Sequence, residues 1–135
     1  MHNLDFTIKF EASNGKSKRN NLLKQNTKEI YQRIINSFLD IIIMEELLQN
    51  GSLSGYDIIR LFYKKFGILL SPGTIYSVLY SMERNGLIEG KENSHKRVYN
   101  LTDTGEKTVK NMLSNIEEIQ KFIRFALTSS ARSSS

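Results

Sequence analysis

The apolar positions of this chain form one period-two run near the start, then four runs with the spacing of helices. Leu4, Phe6, Ile8 and Phe10 alternate with Asp5, Thr7, Lys9 and Glu11. That alternation predicts a half-buried strand. Its partner edge stays open: the domain's own sheet, a later hairpin or a second subunit would each serve. Ala12 to Asn26 is polar, with Ser, Asn, Gly and Lys, and predicts a loop or mobile arm. Its Lys16-Ser17-Lys18-Arg19 cluster could touch phosphates, though such a cluster is more often only solvated.

A helical pattern starts at Thr27. Ile30, Ile34, Phe38, Ile41, Ile42 and Leu48 share roughly one face, and Ile35, Leu39 and Ile43 widen it. So broad an apolar surface predicts a helix covered on more than one side. Phe38 and Ile42 are assigned to a subunit interface, and Asn50-Gly51 ends the helix. Ser54 caps the next helix, which runs to Phe66 and stops at Gly67.

Ser71 is a good N-cap, and Pro72, the only proline, follows at the first helical position. Gly86 stops this helix. Its inner stripe is Ile75, Val78, Leu79 and Met82. At about 100° per residue the opposite face shows Gly73, Ser77, Tyr80 and Arg84, with Tyr76 beside them. A helix that buries one side and presents short polar, aromatic and basic groups on the other suits a DNA groove. The two helices make a helix-turn-helix.

Leu87 to Lys91 and Arg97 to Leu101 then alternate as strands around a polar tip. That hairpin would be a wing, carrying Lys91, His95, Lys96 and Arg97 toward a minor groove or phosphates. Hairpin tips are polar whatever they do, so position is what speaks for this role. Thr102 caps a last helix, with Asp103 and Glu106 favouring its N-terminal dipole. Val109, Met112, Ile116, Ile119, Ile123 and Ala126 recur at spacings of three and four, a coiled-coil-like seam. A helix of about 24 residues is ~36 Å long, more than so small a domain can cover, so dimerisation is expected. The Ser-rich residues 128–135 should fray.

The expected fold is mainly α with a small β-hairpin: a winged helix-turn-helix with a long C-terminal dimerisation helix and an N-terminal strand and arm. The division is 1–26 for strand and arm, 27–101 for the winged helix, 102–127 for the dimerisation helix and 128–135 for the tail. The 135 residues suffice for one domain. The net charge is +5, and its excess lies outside the middle of the chain. Residues 1–36 hold seven Lys or Arg against three acids, whereas residues 37–101 hold seven against seven. The balance is compatible with phosphate binding.

There is no cysteine, so disulfides and thiolate metal sites are excluded. The longest apolar run, Ile41 to Met44, is far short of the ~20 residues that span a bilayer. The start lacks the pattern of a signal peptide, so a soluble cytoplasmic protein is expected. The only histidines, His2 and His95, sit in no nucleophile or metal motif, and no phosphate-binding loop occurs. No enzyme activity, metal or cofactor is therefore expected.

The run Ser71-Pro72-Gly73-Thr74-Ile75-Tyr76, with Leu79, Glu83, Gly86-Leu87-Ile88, Arg97, Tyr99, Leu101-Thr102 and Gly105, resembles the PadR family of transcriptional regulators. Leu53-Ser54-Gly55-Tyr56 is similar to the motif that opens that family's second helix. The resemblance covers about Phe38 to Phe125. It implies a dimeric winged-helix protein that binds double-stranded DNA, mostly as a repressor, with the C-terminal helix against the partner's first helix. By the same resemblance Gly73, Thr74 and Tyr76 enter or flank the major groove, with Ser77 beside them, and Ser71 is counted in the same DNA-binding set. Ser54 and Tyr56 meet the backbone, and Lys96 and Arg97 serve the wing. Family members can hold flat aromatic compounds near the dimer interface. Phe38, Phe122 and Phe125 are candidate walls for such an effector, with plain dimer core the favoured reading of all three. Glu89 and Glu92 make this hairpin less basic than is usual in the family. Two alternatives remain: a DNA-coating protein of the kind used in partition or replication termination, and a ligand-sensing interaction module with weak DNA affinity.

Overall fold

Six helices and a three-stranded antiparallel sheet make up the computed structural model, which describes residues 18–128 and the side chains of 25–128. In chain order these are α1 (Lys18–Ser37), α2 (Leu39–Asn50), β1 (Leu53–Ser54), α3 (Gly55–Phe66) and α4 (Pro72–Arg84). Then come β2 (Ile88–Asn93), β3 (Lys96–Leu101), α5 (Asp103–Ser114) and α6 (Ile116–Leu127). The expected strand at Leu4 to Phe10 lies outside the described residues.

Each turn of the helix-turn-helix is written in local chemistry. Ser54 and Asp57 form a reciprocal capping box: Ser54 Oγ accepts the Asp57 N–H at 3.1 Å, and Asp57 Oδ2 accepts the Ser54 N–H at 2.9 Å. Gly67, at φ 67°, closes α3 in the left-handed conformation. Ser71 Oγ accepts the Thr74 N–H at 3.1 Å, and Pro72 opens α4. The inner stripe of α4 packs as its spacing predicts, with Ile75, Leu79 and Met82 buried and Val78 half-buried. They join Ile43, Met44, Leu47, Ile58, Phe62, Ile88 and Val109 in one core. Glu46 is buried at 4% exposure and is ion-paired with Lys65, which ties α2 to α3.

The sheet order is β1-β3-β2. The wing hairpin pairs Ile88 with Leu101, Gly90 with Tyr99 and Asn93 with Lys96. Ser94 and His95 turn it with φ of 51° and 69°, the backbone of a tight two-residue hairpin turn. The short strand β1 pairs Leu53 with Tyr99 and Ser54 with Val98; two residues are too few to show an alternation in sequence.

Three expectations about helices need correction. Residues 18–26 were expected in a loop, yet α1 begins at Lys18. No Gly or Pro falls between Gly15 and Gly51, and Leu22, Leu23, Lys24 and Gln25 are good helix formers, which outweighs the asparagines. The helix from Thr27 to Gln49 is divided at Phe38, whose φ of −113° and ψ of 25° leave helical geometry. Hydrogen bonds from Phe38 N–H to Ile34 O at 3.0 Å and from Ile42 N–H to Phe38 O at 2.9 Å carry the ladder across the bend.

The single long C-terminal helix is two helices, broken at Asn115 (φ −106°, ψ 14°). The cause is competition by side chains. Asn111 O is taken by Ser114 Oγ at 2.7 Å and Asn115 Nδ2 at 2.9 Å, and the Asn115 N–H turns to Met112 O at 3.0 Å.

Candidate nucleic-acid interface

The turn that starts α4 also sets what this helix shows to solvent. Ser71, Gly73, Thr74, Tyr76, Ser77, Tyr80 and Arg84 are all exposed. Ser71 and Thr74 are engaged with each other, the Ser71 hydroxyl donating to Thr74 Oγ1 at 2.9 Å. Tyr76 lies over Gly55, where an added Cβ would come within 2.5 Å of the ring. Arg84 sits above the Tyr80 ring at 5.6 Å. It has no carboxylate partner among the described residues. The one acid of α4, Glu83, turns toward the wing. Tyr76, Tyr80, Glu83, Arg84, Arg97 and Tyr99 together line a cleft between α4 and the hairpin.

On α3, Tyr56 is exposed, with Arg60 over its ring at 5.8 Å. Ser54 departs from expectation. It is 4% exposed, its N–H donates to Asp57 and its Oγ accepts the Asp57 N–H, so its capping role holds it below the surface. The Ser54 N–H bond holds the Asp57 carboxyl below its usual pKa of 3.8, opposed by partial desolvation.

The wing cations are exposed but paired. Lys91 reaches Glu89 at 3.2 Å, Lys96 reaches Asp57 at 3.9 Å, and Arg97 reaches Glu83 at 2.8 Å and Glu92 at 3.8 Å. Glu83 raises the Arg97 pKa further, and burial raises that of the Tyr99 hydroxyl. His95 occupies the exposed turn itself. Surface pairs of this kind are worth about 0–1 kcal/mol, so Lys91 and Lys96 can exchange a carboxylate for a phosphate at little cost. Glu83 and Tyr99 had no assigned site role in the sequence, because their partners lie on another element.

The residues expected at a dimer seam divide. Val109 is 0% exposed inside the chain's own core, so it has no surface to offer a partner. Ile42, Met112 and Ile119 are half-buried, whereas Phe38, Ile116 and Ile123 are exposed. α6 buries none of its residues. Phe122, Phe125 and Leu127 add to its uncovered apolar surface, and Ile30 and Ile34 add to that of α1. No helix among the described residues is long and apolar enough to cross a membrane.

A mainly helical body, a helix-turn-helix whose second helix opens at Ser-Pro, and a three-stranded sheet that ends in the hairpin wing define a winged-helix protein. Residues 44–111 match the transcriptional regulator PadR-like family, and the chain belongs to that family of transcriptional regulators. A transcriptional regulator from Clostridium thermocellum is 26% identical with a TM-score of 0.61, covering 71% of this chain and 96% of its own. A PadR family transcription regulator from Clostridium difficile is also 26% identical, with a TM-score of 0.59, covering 67% and 99%. A PadR-like regulator from Bacillus cereus, at 22% identity and a TM-score of 0.60, shares the fold over 72% of this chain and 98% of its own. No curated protein sequence matches the chain closely enough to count as a relative.

Proposed function

We propose that the protein is a homodimeric repressor that reads a palindromic operator through α4. The observation that carries this reading is the outer face of that helix. Gly73, Thr74, Ser77, Tyr80 and Arg84 are exposed there, and the helix's only carboxylate is turned away to the wing. Hydroxyls, the Tyr80 phenol among them, and a guanidinium can donate to base edges and phosphates, whereas a carboxylate on that face would repel the backbone. Tyr56 at the start of α3 and the wing residues Lys91, His95 and Lys96 would flank α4 on the phosphates.

Dimerisation is supported by the uncovered apolar residues of α1 and α6, which one subunit leaves in water. Two α4 helices related by a two-fold axis would meet half-sites about one turn, ~34 Å, apart. Phe38, Phe122 and Phe125 fit the core of that interface. An aromatic effector lodged between them would act by shifting the spacing of the two recognition helices.

The test is selection of binding duplexes from a random library, followed by footprinting and gel shifts at two salt concentrations. A discrete, two-fold symmetric footprint that resists competitor is the expected result. An asymmetric monomer footprint overturns the dimer, and a ladder of bands that competitor removes indicates DNA coating instead.

A further inference from the structure

Arg97 stays exposed but reaches across to α4. Its Nη2 donates to Glu83 Oε2 at 2.8 Å, and the same oxygen accepts the Gly90 N–H at 3.1 Å. Arg97 also lies over the Tyr99 ring at 5.7 Å. It covers Gly90 so closely that an added Cβ there would come within 2.6 Å of Nε. Gly90 and Tyr99 are register partners across the hairpin. One carboxylate on α4 therefore holds both wing strands, β2 through a backbone N–H and β3 through a guanidinium. The covalent link between α4 and β2 is only Asn85 to Leu87, with Gly86 at φ 73°. That short turn, the β1–β3 pairing and the buried Ile88 and Tyr99 fix the root of the wing, and the Glu83 contacts add to them further out, at Gly90 and Arg97.

We infer that Glu83 and Arg97 are positioning residues that set the wing against the recognition helix, and that Arg97 is not a phosphate contact. The inference rests on the DNA-binding reading above for its effect on affinity. Its guanidinium charge is already met by Glu83 and by Glu92 at 3.8 Å. A wing held at one angle lets α4 and the hairpin engage the same duplex at once. A wing tip held less tightly must be ordered when DNA binds, at an entropic cost to affinity.

The two roles give opposite signs for one substitution. If Arg97 met phosphate, Glu83→Gln would remove a repelling charge and tighten binding, and Arg97→Ala would lower the salt slope by about one. If the pair positions the wing, Glu83→Gln weakens binding although it removes a negative charge. The experiment uses the full chain and a duplex that the wild type selects from a random library, with Kd measured across a salt series. Glu83→Gln and Arg97→Lys are each expected to weaken binding by about three- to tenfold, as coupled residues in one network do. The double variant should be no worse than the weaker single, and the salt slope should stay at the wild-type value. Tighter or unchanged binding by Glu83→Gln, or a slope that falls by about one in Arg97→Ala, overturns the inference. A second readout needs no DNA. Amide hydrogen exchange at Gly90 should speed up in Glu83→Ala while the thermal transition is retained, and unchanged exchange refutes the clamp. That readout also separates the two ideas, because failure of the wild type to select any duplex would sink the DNA-binding reading alone.

Discussion

Gly73 offers a way to separate what α4 needs to fold from what it needs to touch. An added Cβ there meets only Ser71 Oγ, at 4.0 Å, and the residue is not in the left-handed region. The fold therefore has no steric or conformational use for glycine at this position. Gly73→Ala should stabilise the protein by about 0.5 kcal/mol, mostly by restricting the unfolded chain. For a chain of this size the melting temperature would rise by roughly 1–3 °C. The effect on DNA should have the opposite sign. Pro72 has no N–H and the Thr74 N–H is taken by Ser71 Oγ, whereas the Gly73 N–H has no partner among the described residues. It is the donor in the first turn of α4 still available to a phosphate or base edge. A methyl group beside it would hold that group away. A hydrogen bond to a charged acceptor is worth about 1.5–3 kcal/mol, so its loss should weaken binding roughly ten- to hundredfold. Circular dichroism melts and fluorescence anisotropy on a selected duplex measure the two effects on one preparation. A variant that melts higher and binds as tightly as wild type would refute the close approach of α4 at Gly73.

Other outcomes follow from the same geometry. Arg84→Ala should leave the melting curve in place and lower the salt slope of DNA binding by about one, read from Kd against salt concentration; a lowered melting temperature would mean that Arg84 supports the fold. Ile123→Asp should convert a dimer to a monomer in sedimentation, because it places a charge on the uncovered face of α6. An unchanged mass would remove α6 from the interface. Gly105→Ala should unfold the protein or cost several kcal/mol in chemical denaturation, since its Cβ would sit 2.0 Å from the Leu87 carbonyl oxygen. The Asp57 carboxyl is held below 3.8, so its cap is fully stabilising above that pH and is lost as pH falls through the folded value. Asp57→Asn should therefore flatten the acid limb of stability against pH, and a limb of unchanged steepness would show that other carboxylates dominate it.

The helix-turn-helix was legible because its punctuation is local. Ser54, Gly67, Ser71-Pro72 and Gly86 each act within a few residues, and Ile75, Leu79 and Met82 mark the inner face by spacing alone. The outer face followed by exclusion. The break at Asn115 was also local, since Ser114 and Asn115 both capture Asn111 O. There the apolar stripe of the last helix, continuous through Met112, Ile116 and Ile119, masked it. Periodicity reports which residues share a face and says nothing about a backbone that bends beneath them.

The sequence by itself determined the helix-turn-helix, the caps of its two helices and the hairpin after it, because caps, turns and amphipathic stripes depend on neighbours along the chain. Only the tertiary structure decided which cations are spoken for. Arg97 and Glu83 are fourteen residues apart and meet across the helix-wing junction. Val109 looks like one more seam position until α5 folds back and buries it in the core. Ser54 looks like a phosphate-binding hydroxyl until β1 pairs with β3 and encloses it. In each case the side chain's chemistry is the same in either role, and what settles the role is a partner brought near by folding.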